Sequence, residues 1–108
     1  MRVKTEDLSG DALNWAISEI EGGCISPFGP NHYSTTWSDA GPIIERERIN
    51  LMYLPRQKTW IASLGRGEGV PAAIGHGSTL LIAGMRAYAI TRHGDTIEVA
   101  DDLLGARP

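Results

Sequence analysis

The amino-acid sequence predicts an α+β fold, with a small antiparallel sheet built on a β-hairpin and two helices packed on one face of it. Three observations support this class. A stretch between Ser78 and Gly94 has helical end signals and is apolar on most sides, which is typical of a buried helix. A second stretch, from Ser9 to Gly22, has one apolar helical stripe. Two alternating segments, 43–54 and 59–64, flank a turn and predict the hairpin.

Length and composition predict a single domain over residues 1–108. Of the 108 residues, 42% are hydrophobic and 21% are charged, which is typical of a globular domain with one core. The formal net charge of -3 disfavours direct nucleic-acid binding, because an acidic protein gains little from the release of phosphate counterions. There is no signal-peptide core and no apolar run that could cross a bilayer. Together with the single cysteine, Cys24, these features predict a cytoplasmic protein with no membrane association.

The two predicted helices have recognisable ends. Ser9 is the predicted N-cap of the first helix, because its side chain can accept a hydrogen bond from an orphan backbone N–H. Leu8 and Leu13 have the spacing of a hydrophobic staple around this cap, and the helix is predicted to end at Gly22. Ser78 is the predicted N-cap of the second helix, which Gly94 ends.

The remaining segments are short strands and connections. The predicted hairpin turn covers residues 55–58, and two further short strands are predicted at 2–5 and 96–99. Residues 22–42 are predicted to form a long loop and residues 65–77 a glycine-rich connector. One last helical turn is predicted at residues 101–104.

The run Gly41-Pro42-Ile43-Ile44-Glu45-Arg46-Glu47 is the most specific piece of a family resemblance that covers nearly the whole chain. Other matching stretches are residues 8–16, 33–37, 60–62, 80–86 and 94–99. With these stretches the chain resembles the NinX-type proteins, a family of small tailed-phage and prophage proteins of unknown function. It departs from them at Ala100, where proline is expected, and in a longer connector. The resemblance implies a phage or prophage origin and a host-cytoplasmic location, and it implies no catalytic residues.

The long loop and the start of the first hairpin strand provide the favoured functional surface. Tyr33 and Trp37 are aromatic residues of the kind that anchor interfaces, while Glu45, Arg46 and Glu47 supply charges that fix register. The leading hypothesis is a non-catalytic accessory protein that binds a host or phage protein here. The ordinary alternatives are aromatic residues that cover the core and a solvated strand edge. A homo-oligomer is also expected, because one hairpin leaves its sheet edges open.

The glycine-rich connector suggests an alternative function, the binding of an anion or nucleotide by a binding protein or by an enzyme acting on a phosphorylated substrate. Backbone N–H groups at a helix N-terminus attract anions, and Arg66, His76 and Ser78 could complete such a site. However, the connector lacks the lysine and spacing of a P-loop and the third glycine of a dinucleotide fingerprint. A flexible loop before an ordinary capped helix is the preferred interpretation.

The sequence indicates no metal site, no cofactor and no catalytic residue. Glu45 and Glu47 share a face of the predicted strand and could pair for acid–base chemistry or a hard cation, but a salt-bridged edge is the simpler interpretation. The histidines lack metal-binding spacing: they are His32, His76 and His93. Direct DNA binding is a third hypothesis, which only the recombination genes found near NinX-type relatives suggest.

Overall fold

In the described part of the chain, the fold combines three α-helices with two antiparallel sheets. The computed structural model describes residues 1–22, 32–65, 69 and 71–99. Its helices are α1 (Gly10–Ile20), α2 (Trp37–Glu47) and α3 (Leu80–His93). Its strands are β1 (Arg2–Lys4), β2 (Asn50–Leu54), β3 (Thr59–Leu64), β4 (Ala73–Gly77) and β5 (Thr96–Glu98). The predicted α+β class is confirmed, although the sequence predicts neither α2 nor β4.

The larger sheet has the strand order β2-β3-β4, and both pairs of neighbouring strands are antiparallel. β2 pairs with β3 from Asn50 opposite Ser63 to Leu54 opposite Thr59, which confirms the predicted hairpin and its turn at residues 55–58. β4 then adds to the other side of β3. α3 packs across one face of this sheet, and the buried residues of the helices and strands form one apolar cluster.

β4 lies where the sequence predicts part of a connector, so that prediction is wrong for residues 73–77. The strand alternates between buried and exposed residues, and its buried glycines face α3. A Cβ atom added to Gly75 would lie 2.3 Å from the backbone oxygen of Ala83, and one added to Gly77 would lie 2.6 Å from Ile82 Cγ2. Glycine therefore allows the close approach of strand and helix. The sequence does not indicate this strand, because glycine has a low propensity for β-strands.

α3 is buried on most sides, as predicted. Its buried residues are Leu81, Ala83, Gly84, Met85, Ala87, Tyr88, Ala89 and Ile90. The predicted N-cap at Ser78 is wrong by one residue, because the Thr79 side chain accepts the hydrogen bond from the Ile82 backbone N–H at 3.2 Å. Both residues have the same capping chemistry, so composition does not distinguish them. Gly94 ends the helix with a φ of 89°, in agreement with the prediction.

α1 and the smaller sheet cover the rest of the core. Ser9 precedes α1 in an extended conformation, but its side chain makes no capping hydrogen bond. Leu8 and Leu13 are both buried, as the staple spacing predicts. β1 pairs with β5 in an antiparallel register, so the two predicted terminal strands are next to each other. The Thr5 hydroxyl donates to the Gly94 carbonyl at 2.6 Å and ties this sheet to the end of α3.

α2 replaces the end of the predicted loop and the start of the predicted strand. Its buried residues, Ala40, Ile43 and Ile44, have the i, i+3, i+4 spacing of one helical face. The strand predicted over residues 43–54 is therefore wrong for 43–47 and confirmed for 50–54. The Gly-Pro pair at 41–42 suggests a break in the chain. Proline has no backbone N–H, so one carbonyl in the preceding turn of α2 lacks its helical hydrogen bond. Because Pro42 is exposed, that carbonyl can bind water instead.

Some predicted features fall outside the described residues. They are residues 23–31 of the long loop, including Cys24 and Phe28, part of the connector, including Arg66, and the helical turn at residues 101–104.

Candidate interaction surface

Trp37 is the first residue of α2 and is the most exposed aromatic residue in the described part of the chain. Its side chain is 56% exposed. Gly41, one turn later, lies against the indole, because a Cβ atom at Gly41 would be 3.0 Å from both Cε2 and Nε1 of Trp37. The missing side chain at Gly41 thus lets the ring lie close to the helix backbone. This contact holds the indole in place while more than half of it remains open to solvent.

An open groove of about 430 Å³ runs along this side of α2, and we call it the Trp37 groove. Its lining residues are Trp37, Ser38, Gly41, Pro42, Ile44 and Glu45. The residues at positions 37, 41 and 45 follow one another at intervals of four, so they share one helical face. The groove thereby brings together two residues of the predicted interaction surface, the indole of Trp37 and the carboxylate of Glu45.

Two side chains hold the segment before α2 in place by accepting hydrogen bonds from its backbone. The backbone N–H of His32 donates to Asp39 Oδ2 at 2.8 Å, and the N–H of Ser34 donates to Asn14 Oδ1 at 2.9 Å. Between them Tyr33 is only 6% exposed. The structure therefore buries Tyr33 in the core, as the core-covering alternative predicts, and does not bring it to the surface with Trp37.

Arg46 points away from the groove into a cluster that we call the Arg46 network, formed by Glu21, Arg46, Glu47, Tyr88 and Arg92. Its Nη1 and Nη2 atoms donate to the two carboxylate oxygens of Glu21 at 3.1 and 2.8 Å. Nη2 also donates to the Tyr88 hydroxyl at 2.9 Å, and Nε donates to Glu47 Oε2 at 2.8 Å. Tyr88 donates to Glu21 Oε2 at 2.7 Å, while Arg92 Nη2 lies 3.6 Å from Glu47 Oε1. The network therefore joins the ends of α1 and α2 to α3.

The electrostatics of the Arg46 network fix its protonation at neutral pH. The hydrogen bond from Arg46 lowers the pKa of Glu21 below its usual value. Burial, together with the hydrogen bond to Glu21, raises the pKa of Tyr88 to about 12. The bonds to Glu21 and Glu47 raise the pKa of Arg46. Charges held in this way stabilise a contact between helices.

The helical geometry separates the carboxylates that the sequence predicts on one strand face. Side chains two residues apart on a helix point about 160° away from each other, so Glu45 and Glu47 do not share a face and cannot pair, and the alternative of paired carboxylates is wrong. Glu47 faces Arg46, whereas Glu45 lines the groove. Sequence reasoning misses Glu21 and Tyr88 as network members, because they lie 25 and 42 residues from Arg46 and no local pattern connects them.

The residues of the predicted anion site have separate surroundings. Arg66 lies outside the described residues. His76 is exposed on β4, and its backbone carbonyl accepts a hydrogen bond of 2.6 Å from Arg86 Nη1. Ser78 is exposed just before the Thr79 cap. The close packing of β4 on α3 accounts for Gly75 and Gly77, two glycines of the predicted connector. Anion binding stays a prediction.

Within residues 1–22, 32–65, 69 and 71–99, no three His, Cys, Asp or Glu residues come together as a metal site. His93 Nε2 lies 2.9 Å from the Ala16 carbonyl oxygen, so its ring tethers α3 to α1. None of the helices in this part of the chain has both the length and the apolar character needed to span a bilayer.

Comparison with known proteins assigns the chain to a phage family. The model of the family described as "Bacteriophage P22, NinX" matches residues 25–92, which is more than half of the chain. The matched region contains α2, β2 to β4 and nearly all of α3, and therefore the whole Trp37 groove. The resembling stretches at residues 8–16 and 94–99 lie outside it. No curated protein matches the chain. The family match confirms the resemblance in the sequence, and the chain belongs to the NinX family of phage proteins.

Proposed function

We propose that this phage protein is a non-catalytic accessory protein that binds a host or phage protein through the Trp37 groove in the host cytoplasm. The exposure of Trp37 carries the proposal, because 56% of its side chain is left in water. Tryptophan is among the residues most enriched at interface hot spots, and its burial against a partner would remove a large apolar area from water. The contact with Gly41 supports the proposal further, since a positioned ring loses less conformational entropy on binding.

The two parts of the predicted surface have different roles in this proposal. Trp37 and Glu45 line the groove and are available to a partner. Arg46 and Glu47 are engaged with Glu21 and with each other. A charge reversal at Arg46 would therefore perturb the helix contacts before it perturbed a binding surface. Substitutions at the groove residues are the appropriate test.

The test is site-specific photo-crosslinking in phage-infected cells. A photoreactive amino acid replaces Ser38, which lines the groove, and in a matched control it replaces Glu19, an exposed residue of α1 outside it. We expect a protein that crosslinks from position 38 and not from position 19. The purified partner should then bind Trp37→Ala about 30-fold or more weakly than wild type, as expected for a hot-spot residue. Equal crosslinking from both positions, or unchanged affinity of Trp37→Ala, would contradict the proposal.

A second interaction, self-association, is favoured by the edge strand β2. It pairs only with β3 among the described strands, and its sequence Asn50–Leu54 contains no charge and no proline. Met52 and Tyr53 are 61% and 44% exposed on it. Edge strands that lack charged residues and proline readily pair with another chain. We propose that two copies pair antiparallel through β2.

Sedimentation over a range of protein concentrations tests this pairing. Met52→Lys places a charge at the centre of the edge and should keep the protein monomeric. Gln57→Lys adds the same charge in the exposed hairpin turn and should leave association unchanged. A wild-type protein that stays monomeric at high concentration, or equal effects of the two variants, would rule out pairing through β2.

A further inference from the structure

The charge and shape of the Trp37 groove point to one kind of occupant, and this inference rests on the proposed function. We propose that the groove takes a partner segment in which a lysine or arginine side chain lies over the indole of Trp37 and pairs with Glu45. An apolar residue next to that cation would cover the exposed Pro42. The following observations favour a cationic and apolar segment over other occupants.

The indole is presented as a platform for a cation. The ring lies close to the backbone at Gly41, where an added Cβ atom would be 3.0 Å from two of its atoms, while 56% of the side chain stays exposed. Guanidinium and ammonium groups are attracted to the faces of aromatic rings, and arginine can also stack on them. An exposed tryptophan held against a helix is therefore suited to receive such a group.

The carboxylate of Glu45 adds a negative charge that is not neutralised within the described part of the chain. Glu45 is exposed, and it makes no ion pair or side-chain hydrogen bond there. The two acids of the Arg46 network, Glu21 and Glu47, are already paired with Arg46. Of Glu21, Glu45 and Glu47, Glu45 is therefore the one that can pair with a partner. The net charge of -3 also favours the approach of a basic segment.

Other occupants fit the groove less well. An acidic peptide or a nucleic-acid backbone would bring negative charge to Glu45 and be repelled. An apolar segment without a cation would cover Pro42 but would remove water from the Glu45 carboxylate without replacing its hydrogen bonds. A cation beside an apolar residue satisfies both parts of the lining.

Selection from a displayed library of random dodecapeptides on the full-length protein tests the inference. Counter-selection against Trp37→Ala keeps only peptides that need the groove. We expect these peptides to be enriched in arginine or lysine next to an apolar residue. Synthetic copies should bind more weakly as salt is raised, because an exposed charge pair is screened.

Three variants separate the contributions to binding of the selected peptides. Glu45→Gln should weaken binding by about 1.5- to 5-fold, as for an exposed ion pair, and should reduce its salt dependence. Glu19→Gln, a matched loss of one exposed carboxylate outside the groove, should change neither. Gly41→Ala should weaken binding while the helix persists, because the new methyl group would press on the indole and alanine favours helices.

The outcomes distinguish this inference from the proposed function. If every recovered peptide also binds Trp37→Ala, or none is recovered, the cationic segment is refuted, and crosslinking from position 38 decides separately whether a protein binds the groove. If peptides depend on Trp37 but lack basic residues, or bind Glu45→Gln as well as wild type, the groove remains a binding site and the cationic occupant is refuted. Basic peptides that depend on both Trp37 and Glu45 would support the inference.

Discussion

The contact between β4 and α3 yields the sharpest stability prediction, which is the effect of Gly75→Ala. The added Cβ atom would lie 2.3 Å from the backbone oxygen of Ala83 and 2.6 Å from the backbone nitrogen of Ala87. The first distance is about 1 Å short of ordinary van der Waals contact. Both neighbours are backbone atoms of a helix, so no side-chain rotation relieves the overlap, and strand and helix must separate.

The expected cost follows from two opposing terms. Overpacking a core costs about 1 to 3 kcal/mol, and the lack of a flexible neighbour places Gly75→Ala near the upper end. Replacing glycine by alanine also raises the free energy of unfolding by about 0.4 to 1 kcal/mol, because it restricts the conformations of the unfolded chain. We therefore expect a net loss of about 2 kcal/mol, which lowers the melting temperature by about 8 to 16 °C in a domain of this size. Thermal unfolding followed by circular dichroism measures the shift.

Two other glycines are the controls for this experiment. Gly65 has no atom within 4 Å of an added Cβ and no left-handed backbone, so Gly65→Ala should be neutral or slightly stabilising. Gly84 on α3 would meet Ile44 at 3.4 Å, which is ordinary contact, and alanine favours the helix, so Gly84→Ala should also melt no lower than wild type. A Gly75→Ala protein that melts no lower than Gly65→Ala would refute the argument that β4 and α3 are held at a distance only glycine permits.

Three further predictions concern the Arg46 network and the cap of α3. Tyr88→Phe removes the hydrogen bond to Glu21 and should lower the free energy of unfolding by about 1 kcal/mol in a denaturant titration. Arg46 holds the pKa of Glu21 below its usual 4.5, so the stability it contributes is present above that pH and is lost as pH falls through the folded-state value. Glu21→Gln should therefore flatten the loss of stability as pH falls below 4.5, and an unchanged slope would contradict this account. Thr79→Ala should cost about 1 kcal/mol in urea unfolding, whereas Ser78→Ala should cost nothing measurable.

Features with local chemical signals could be predicted from the sequence. The hairpin follows from two alternating segments around a proline-containing turn, and α3 follows from apolar residues on most of its sides. The end of α3 at Gly94 has an equally local cause, because its φ of 89° favours glycine. These elements are specified by residues close to one another in the chain.

The two missed elements depend on distant packing. Ile43 and Ile44 suit a strand or a helix, and only their burial with Ala40 selects the helical spacing. Gly75 and Gly77 look like loop residues until α3 is brought against them. An informative signal was nevertheless present, since small residues at alternate positions are expected where a strand meets a helix closely.

The candidate site could be predicted only in part for the same reason. Trp37 and Glu45 are within the predicted surface, but a strand would have put Glu45 on a common face with Glu47. The helix separates them and turns Glu47 towards Arg46, which in turn reaches Glu21 and Tyr88 from distant parts of the chain. Contacts of this kind depend on how α1, α2 and α3 meet, and no residue pattern in the sequence records that arrangement.

The exposure of Trp37 also gives the chain a spectroscopic reporter of its own. An indole in water emits fluorescence at longer wavelength than one in an apolar environment, and the other two tryptophans, Trp15 and Trp60, are only partly exposed. The long-wavelength part of the emission therefore comes mainly from Trp37. A molecule that covers the groove should shift this emission to the blue without any label, while one that binds elsewhere should leave it unchanged.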